Sequence, residues 1–441
     1  MIPLNFKNKK VLVMGLGLHG GGGAVARWLN RQGAKIIVAD LKSKKELAAP
    51  INQLRRLKGI RYHLGGHRVS DFSASDIVIK GPGVPPDSPY LKIARKNNIP
   101  IITDIHIFLF NLPPGVKIIG ITGTKGKSTA ATLIAKILAQ KYHVHLAGNI
   151  RKSVLEILPK VKKGDFVVLE LSSFQLEDIS GLHYRFPIAV LTSLFPDHLN
   201  QHGTFENYRK AKEVIFSFQG RGDLLVVNEA DLVTKNLRSR NGRTVKVGGE
   251  NFAANAARAV GGYFKVPAAK TEKAIKNFKG LPGRLEKIRE LNGVMFINDT
   301  TATNPGAAIH GIKIIREKYP NKNLVVIAGG YDKSLAVGEF VGVLQKYANN
   351  VVLLPGSATD KIIKKSKGHK EWIKVKNMPE AVRASYQIFR HRFPPHKASA
   401  GQGKSGDGGV VLLSPGAASF GLFQHEFDRG DKFNAAVRKL K

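Results

Sequence analysis

Gly120-Ile121-Thr122-Gly123-Thr124-Lys125-Gly126-Lys127-Ser128-Thr129 gathers glycines, lysines and hydroxyls into one short stretch. The apolar run from Val116 to Ile121 reads as a buried strand before it, and Ala130 to Leu138 reads as an apolar helix after it. Strand, glycine-rich loop and helix in that order make a phosphate cradle. Glycines let backbone N–H groups crowd round phosphate oxygens, the helix N-terminus adds partial positive charge, Lys127 supplies a point charge and Ser128 can ligate Mg²⁺. The spacing predicts a nucleoside triphosphate at Gly123, Thr124, Lys125, Gly126, Lys127, Ser128 and Thr129. The strict pattern wants a glycine five residues before Gly126, where this chain has Ile121, so the loop is a variant and a plain glycine-rich turn is the alternative.

Other side chains able to do chemistry fall at the ends of apolar runs. Val144 to Gly148 reaches Asn149, and Phe166 to Leu171 carries Glu170 near its end. Ile188 to Leu191 is followed by Phe195-Pro196-Asp197-His198, and Lys212 lies on a helix that follows Thr204-Phe205-Glu206. A carboxylate, an imidazole and a phosphate loop at strand C-termini point to one shared site. Each also has an ordinary reading: Glu170 as a surface carboxylate, Lys212 as one more lysine.

The elements that must position these groups alternate as strands and helices. Lys10 to Met14 is a strand running into Gly15-Leu16-Gly17-Leu18-His19-Gly20, then a helix from Ala24 to Gln32, then a strand from Ile36 to Ala39 ending on Asp40. Read alone, this unit predicts a dinucleotide cofactor and an NAD-dependent oxidoreductase, but any diphosphate suits that helix N-terminus, a nucleotide sugar included. Asp76 to Lys80 is a strand closed by Gly81-Pro82-Gly83-Val84-Pro85-Pro86, Pro100 to Thr103 is another, and Asn111 to Gly115 reads as a linker. Beyond Leu224 to Val227 and a break at Gly280-Leu281-Pro282-Gly283-Arg284, four further apolar runs begin at Val294, Leu324, Val351 and Val410. Pro394 to Gly409 reads as a mobile surface loop, and its Gly403-Lys404-Ser405 lacks the preceding strand a phosphate loop needs. The pattern predicts an α/β protein of three domains: a Rossmann-like one over 1–112, a mostly parallel mononucleotide-binding one over 113–281 and a Rossmann-like one over 282–441.

Composition bounds the rest. The 441 residues, 43% of them hydrophobic, are enough for several cores, and with no cysteine any metal must be held by histidine, carboxylate, hydroxyl or a modified side chain. No signal-like or membrane-length apolar run is present, so the expected location is the cytoplasm, without membrane contact. The formal charge of +38 raises a nucleic-acid partner and hence a nucleic-acid-binding ATPase. The basic clusters at Lys7–Lys10, Lys42–Lys45, Arg55–Lys58, Lys160–Lys163 and Lys361–Lys367 lack interleaved aromatics and any recognisable motif, which favours a generally basic surface. Such a field draws anionic substrates.

Over nearly its whole length the chain resembles the Mur ligase family, ATP-dependent amide ligases that extend the peptide of peptidoglycan precursors, and most of all its glutamate-adding members. The marks are Thr122 to Ser128, Glu170-Leu171-Ser172-Ser173-Phe174-Gln175-Leu176-Glu177, Asp197-His198 with Tyr208 to Lys212, Leu281-Pro282-Gly283-Arg284-Leu285-Glu286, Asn298-Asp299, and Leu412-Leu413-Ser414-Pro415-Gly416-Ala417-Ala418-Ser419-Phe420. The resemblance implies that ATP phosphorylates the carboxylate of UDP-N-acetylmuramoyl-L-alanine and that glutamate attacks the acyl phosphate, in a monomer with two Mg²⁺ sites. Lys127 and the Gly126 backbone would hold the β- and γ-phosphates; Ser128, Glu170, His198 and a carbamylated Lys212 would serve the metals. Asn255, Arg284 and Asp299 match ATP contacts. Leu18, His19, Asp40, Gly83 and Asn149 match contacts to the uridine nucleotide substrate, and Thr303, Lys333, Ser419 and Phe427 match positions that hold glutamate.

Three departures stand out. Lys125 replaces a usual asparagine, Gly283 a common histidine, and Thr301 stands where the D-glutamate members commonly carry lysine. The last leaves the amino acid open: D-glutamate is favoured, L-glutamate is the alternative. A folylpolyglutamate synthetase shares the phosphate loop but gives the N-terminal glycine unit no purpose, and an oxidoreductase leaves the Lys127 loop unexplained.

Overall fold

Runs of Val, Ile and Leu with both faces apolar are what a parallel sheet covered by helices demands. Ile77–Lys80, Phe166–Glu170, Ile188–Leu191, Val294–Asn298 and Gly409–Leu413 are such runs, buried at every position. The computed structural model describes residues 5–17, 20–150, 152–249, 251–366, 372–392 and 408–441. Leu18, His19 and the stretch 393–407, with its Gly403-Lys404-Ser405, lie outside the described residues.

The strands form three sheets, as expected. Across the first run Ile60–Leu64, Lys35–Asp40, Lys10–Met14, Ile77–Lys80 and Ile101–Ile102, all parallel. Across the second run Arg243–Val247, Leu224–Asn228, Ile188–Leu191, Lys117–Thr122, Phe166–Glu170 and Val144–Gly148, again all parallel. The third runs Glu286–Leu291, Val294–Asn298, Gly409–Leu413, Asn323–Gly329, Asn350–Leu354 and Ile373–Lys374, with only Glu286–Leu291 antiparallel. In the first two sheets the opening strand lies inside the sheet, so strand order reverses beside it; ligands sit at the C-terminal ends at such a point.

Four strands escaped the hydrophobicity reading: Ile60–Leu64, Arg243–Val247, Glu286–Leu291 and Ile373–Lys374. All four lie at sheet edges. An edge strand faces water along one side and carries charge there, as Arg-Thr-Val-Lys-Val and Glu-Lys-Ile-Arg-Glu-Leu do, so its apolar signal is diluted. Two helices begin earlier than expected. One spans Gly21–Arg31, and the other spans Lys127–Leu138, which makes Lys127, Ser128 and Thr129 its first turn.

The chain divides into two compact units, Met1–Leu194 with Glu206–Phe278, and Phe195–Phe205 with Lys279–Lys441. In the first unit, helix Lys127–Leu138 packs on the central sheet in a core of Ile119, Ile121, Ile134, Val190 and Ala254. Lys80 and Asp178, both buried, form an ion pair of 2.8 Å between the first sheet and helix Ser173–Asp178. Nearby, burial lifts the fully enclosed Asp104 carboxyl to about 6, with Asp178 adding to the rise and Lys80 opposing it. Burial likewise pushes His106 down to about 4, and Lys80 reinforces the shift.

Candidate active site

The central loop is held from three sides. Thr124 N donates to Ser193 O at 2.7 Å and Lys125 N to Ser193 Oγ at 3.1 Å, while Thr192 Oγ1 donates to Lys125 O at 2.6 Å. Gly123 has φ 146°, and a Cβ there would lie 2.0 Å from Thr192 Oγ1, so only glycine fits. Gly126 caps the helix at φ 90°. Lys127 Nζ folds back to donate to Gly123 O and Thr124 O, each at 3.0 Å. Lys212, on helix Phe205–Ser217 and 2% exposed, donates to Gly123 O at 2.9 Å and Thr122 Oγ1 at 3.4 Å. Its ammonium lies 4.7 Å from the centre of the Tyr208 ring, and the Tyr208 hydroxyl shares a 3.0 Å hydrogen bond with Thr124. Two ammonium groups therefore converge on one loop carbonyl, a concentration of charge suited to a triphosphate.

Glu170 ends the strand beside the loop, opposite Ile121 in register, and is 1% exposed. Its Oε1 accepts from Asn149 Nδ2 at 3.3 Å, and its Oε2 is buried with no hydrogen-bond partner among the described residues. A buried carboxylate oxygen left without a donor costs free energy unless something else meets it. Together with the buried Ser128 hydroxyl it offers the hard oxygen donors that Mg²⁺ prefers, so these residues fit that ion. Ser172 then starts helix Ser173–Asp178 through a capping box with Gln175, which accounts for the Ser-Ser-Phe-Gln run. Asn255 is committed at both ends of its amide, donating to Gly248 O and accepting from Arg258 Nη1 at 2.7 Å.

The N-terminal loop is built the other way round. Asp40 Oδ2 accepts from Leu16 N at 2.9 Å and Gly17 N at 3.1 Å, and Oδ1 from Lys42 N at 2.9 Å. Its carboxylate shapes the loop. A Cβ on Gly22 would meet Gly15 O at 2.4 Å, so the helix packs onto the strand through a bare glycine. Gly83 is exposed in the neighbouring loop, whose Val84 carbonyl accepts from Lys80 Nζ at 3.4 Å.

His198 belongs to the second compact unit. Its φ of 53° is left-handed, uncommon for histidine, and its Nε2 lies 3.5 Å from the buried Asp197 carboxylate. In that unit three loops at neighbouring strand ends are stitched together. Asp299, fully buried, accepts from Ser414 Oγ at 3.2 Å; Gly416 N donates to Ala302 O at 2.9 Å; Tyr331 and Ala418 exchange backbone hydrogen bonds of 2.9 and 3.0 Å. Lys333 Nζ reaches Thr303 Oγ1 at 3.5 Å, and Ser419 is 4% exposed. Phe427 lies in the first turn of helix Glu426–Arg438. Arg284 donates its backbone N–H to Leu281 O.

Sequence reasoning missed the residue that joins these loops. Arg429, fully buried, donates to Thr300 O at 2.8 Å, Thr300 Oγ1 at 3.2 Å and Ala417 O at 3.0 Å. Burial pushes its guanidinium down to about 10 against the opposing pull of Glu426 and Asp299. Two departures also gain a physical reason. Gly283 has φ 68° with Thr300 Cγ2 only 2.8 Å from where a Cβ would stand, and Thr301 donates to its carbonyl through both N, at 3.2 Å, and Oγ1, at 3.1 Å.

Three family models match along the chain: Mur ligase MurD-like N-terminal domain over residues 9–103, Mur ligase middle domain over 121–283, and Mur ligase glutamate ligase domain over 283–392. The chain is 35% identical to the UDP-N-acetylmuramoylalanine–D-glutamate ligase of Roseiflexus sp. (strain RS-1), with 99% of this chain and 100% of that protein covered. It is 34% identical to the ligase of the same name from Borreliella burgdorferi (strain ZS7), with both covered in full. Among solved structures, UDP-N-acetylmuramate-alanine ligase MurC from Thermotoga maritima shares the fold at TM-score 0.61 and 20% identity, covering 98% of this chain and 100% of that one. MurF ligase from Thermotoga maritima in complex with ADP does so at TM-score 0.58 and 17% identity, covering 98% and 96%. The chain belongs to the Mur ligase family.

Proposed function

We propose that this chain is an ATP-dependent amide ligase that joins D-glutamate to UDP-N-acetylmuramoyl-L-alanine in peptidoglycan precursor synthesis. The observation that carries the reading is likeness at 34–35% identity over the full chain to relatives named for that reaction. The loop on which Lys127 and Lys212 converge beside Glu170 supports it. L-Glutamate and nicotinamide oxidoreduction are not favoured: the relatives are named for D-glutamate, and the oxidoreductase reading leaves the central loop without a task.

A carboxylate is a poor electrophile at neutral pH, which is why the triphosphate is needed. Its terminal phosphoryl passes to the substrate carboxylate, the glutamate amine attacks the resulting acyl phosphate, and inorganic phosphate leaves with one former carboxylate oxygen. Lys127, with the first-turn amides of helix Lys127–Leu138, holds the transferring phosphoryl where its charge develops. Bound Mg²⁺ supplies charge neutralisation on the phosphate oxygens, with Ser128 and Glu170 as the donors that fit it. Lys212 orients the same region, as an ammonium or as the carbamate the family resemblance implies. Asp40 acts by shaping the loop that receives the uridine diphosphate, with Gly83 and Asn149 beside it in the reading. The roles given by resemblance to Leu18, His19, His198, Asn255, Arg284, Asp299, Thr303, Lys333, Ser419 and Phe427 belong to the same proposal. So do the domain limits 1–112, 113–281 and 282–441, two Mg²⁺ sites, a monomeric state, a cytoplasmic location and independence from nucleic acid.

Phosphate release from ATP, followed with UDP-N-acetylmuramoyl-L-alanine present while D-glutamate, L-glutamate and other amino acids are added in turn, tests it. Release should require the muramoyl nucleotide and D-glutamate together. Release indifferent to every amino acid, or none with the muramoyl nucleotide, would overturn the reading.

A further inference from the structure

At the opposite end of the central sheet from the phosphate loop, two histidines and an aspartate meet. His143 directly precedes the edge strand Val144–Gly148, His145 lies within it, and Asp165 directly precedes the neighbouring strand Phe166–Glu170. Val144 pairs with Phe166, and Phe166 N donates to His143 O at 3.0 Å, so His143 stands beside Asp165 with His145 two residues on. Side chains two apart on a strand share a face, which brings all three together. His143 Nδ1 and His145 Nε2 lie 3.0 and 2.9 Å from the same oxygen, Asp165 Oδ2, and one ligand atom from each residue falls within 4.8 Å of the others. The imidazole planes stand at 86° with centroids 4.7 Å apart.

We infer that His143, His145 and Asp165 form a binding site for one transition-metal dication of the Zn²⁺ class, separate from the phosphate loop. Two imidazoles and a carboxylate are the nitrogen and oxygen donors such ions take, whereas Mg²⁺ selects oxygen alone. Metal–ligand bonds of about 2.0–2.2 Å set neighbouring donors roughly 3 Å apart, close to the two nitrogen–oxygen distances found here. Asp165 is already oriented, since Oδ2 also accepts from Lys162 N at 2.8 Å. His145 and Asp165 are buried while the His143 side chain is 67% exposed, so the remaining coordination positions open to water. The same two strands carry Asn149 and Glu170 at their far ends, about 16 Å away at ~3.3 Å per residue, so the ion would clamp the base of the edge strand and take no part in phosphoryl transfer. In a chain without cysteine, no thiolate competes for such an ion.

The test uses the full chain, stripped with a chelator and returned to excess Mg²⁺ so that hard-cation sites are filled. ZnCl₂ is titrated calorimetrically and CoCl₂ by visible absorption, in the wild type and in His143→Ala, a change at an exposed residue that leaves the sheet intact. The wild type should take up one tightly held Zn²⁺, show Co²⁺ d–d absorption and melt at higher temperature with Zn²⁺. His143→Ala should bind roughly 10-fold or more weakly, lose the Co²⁺ band and keep its ligase activity. Equal Zn²⁺ binding and equal Co²⁺ spectra in the two proteins, or no stoichiometric binding by the wild type, would leave the three groups a hydrogen-bonded cluster and overturn the inference.

Discussion

The first and central sheets each send a strand into a glycine loop and a helix, yet the two loops are secured by opposite charges. At Gly15–Gly17 the Asp40 carboxylate gathers backbone N–H groups; at Gly123–Thr124 the ammonium groups of Lys127 and Lys212 gather backbone carbonyls. A carboxylate brace lowers the positive potential of its loop, while an ammonium brace raises it. On the function proposed above, that difference suits two ligands: a nucleotide diphosphate that must bind and stay intact, and a triphosphate whose terminal phosphoryl must leave.

The largest effect should come from the ammonium side. Lys212→Ala is expected to cut phosphate release by about 10²–10³-fold, the scale of losing one group that stabilises developing charge. Partial recovery on adding a short-chain carboxylate would show that Lys212 works as the carbamate and would leave the ammonium brace to Lys127 alone, and a fully active Lys212→Ala enzyme would remove that lysine from the mechanism. The second effect separates the loops by their glycines. Gly123→Ala, whose Cβ would press on Thr192, should weaken ATP binding roughly 10–100-fold while leaving UDP binding intact. Gly22→Ala, whose Cβ would meet Gly15 O, should do the reverse. Thermal shifts with each nucleotide measure both; variants that lose both responses together would show that the two loops are not independent sites.

A smaller effect lies in the buried seam between those sheets. With its carboxyl raised to about 6 from 3.8, native Asp104 holds a proton that the unfolded chain releases. Its contribution to stability therefore falls as pH rises from about 4 to 6 and stays low above that. His106, lowered to about 4, works oppositely, destabilising the fold as pH drops from 6.5. Asp104→Asn removes only the first of these two effects. In urea denaturation its advantage over the wild type should grow across pH 4–6 to ~2–3 kcal/mol and then level off. A pH-independent difference would contradict the assignment.

The central site was legible because its chemistry lies in one stretch. Gly123 to Thr129 announced a glycine loop between a strand and a helix, and Glu170 and Asn149 stood at strand ends where parallel sheets place ligands. What stayed hidden depends on contacts between distant residues. Nothing in the Asp-Arg-Gly around Arg429 signals that a guanidinium will tie Thr300 to Ala417, and nothing near Thr192-Ser193 signals that these residues brace Thr124 and Lys125. Thr301 read as a departure until its two hydrogen bonds to the Gly283 carbonyl gave it a structural task. The edge strands were hidden by the charges that keep them soluble.

On the function proposed, the phosphoryl group held at Gly123–Thr129 passes to the carboxylate of the muramoyl substrate. UDP-N-acetylmuramoyl-L-alanine labelled with ¹⁸O in its free carboxylate, turned over with ATP and D-glutamate, measures this directly. One ¹⁸O per inorganic phosphate, by mass spectrometry, is the predicted result; unlabelled phosphate formed alongside the amide would contradict it.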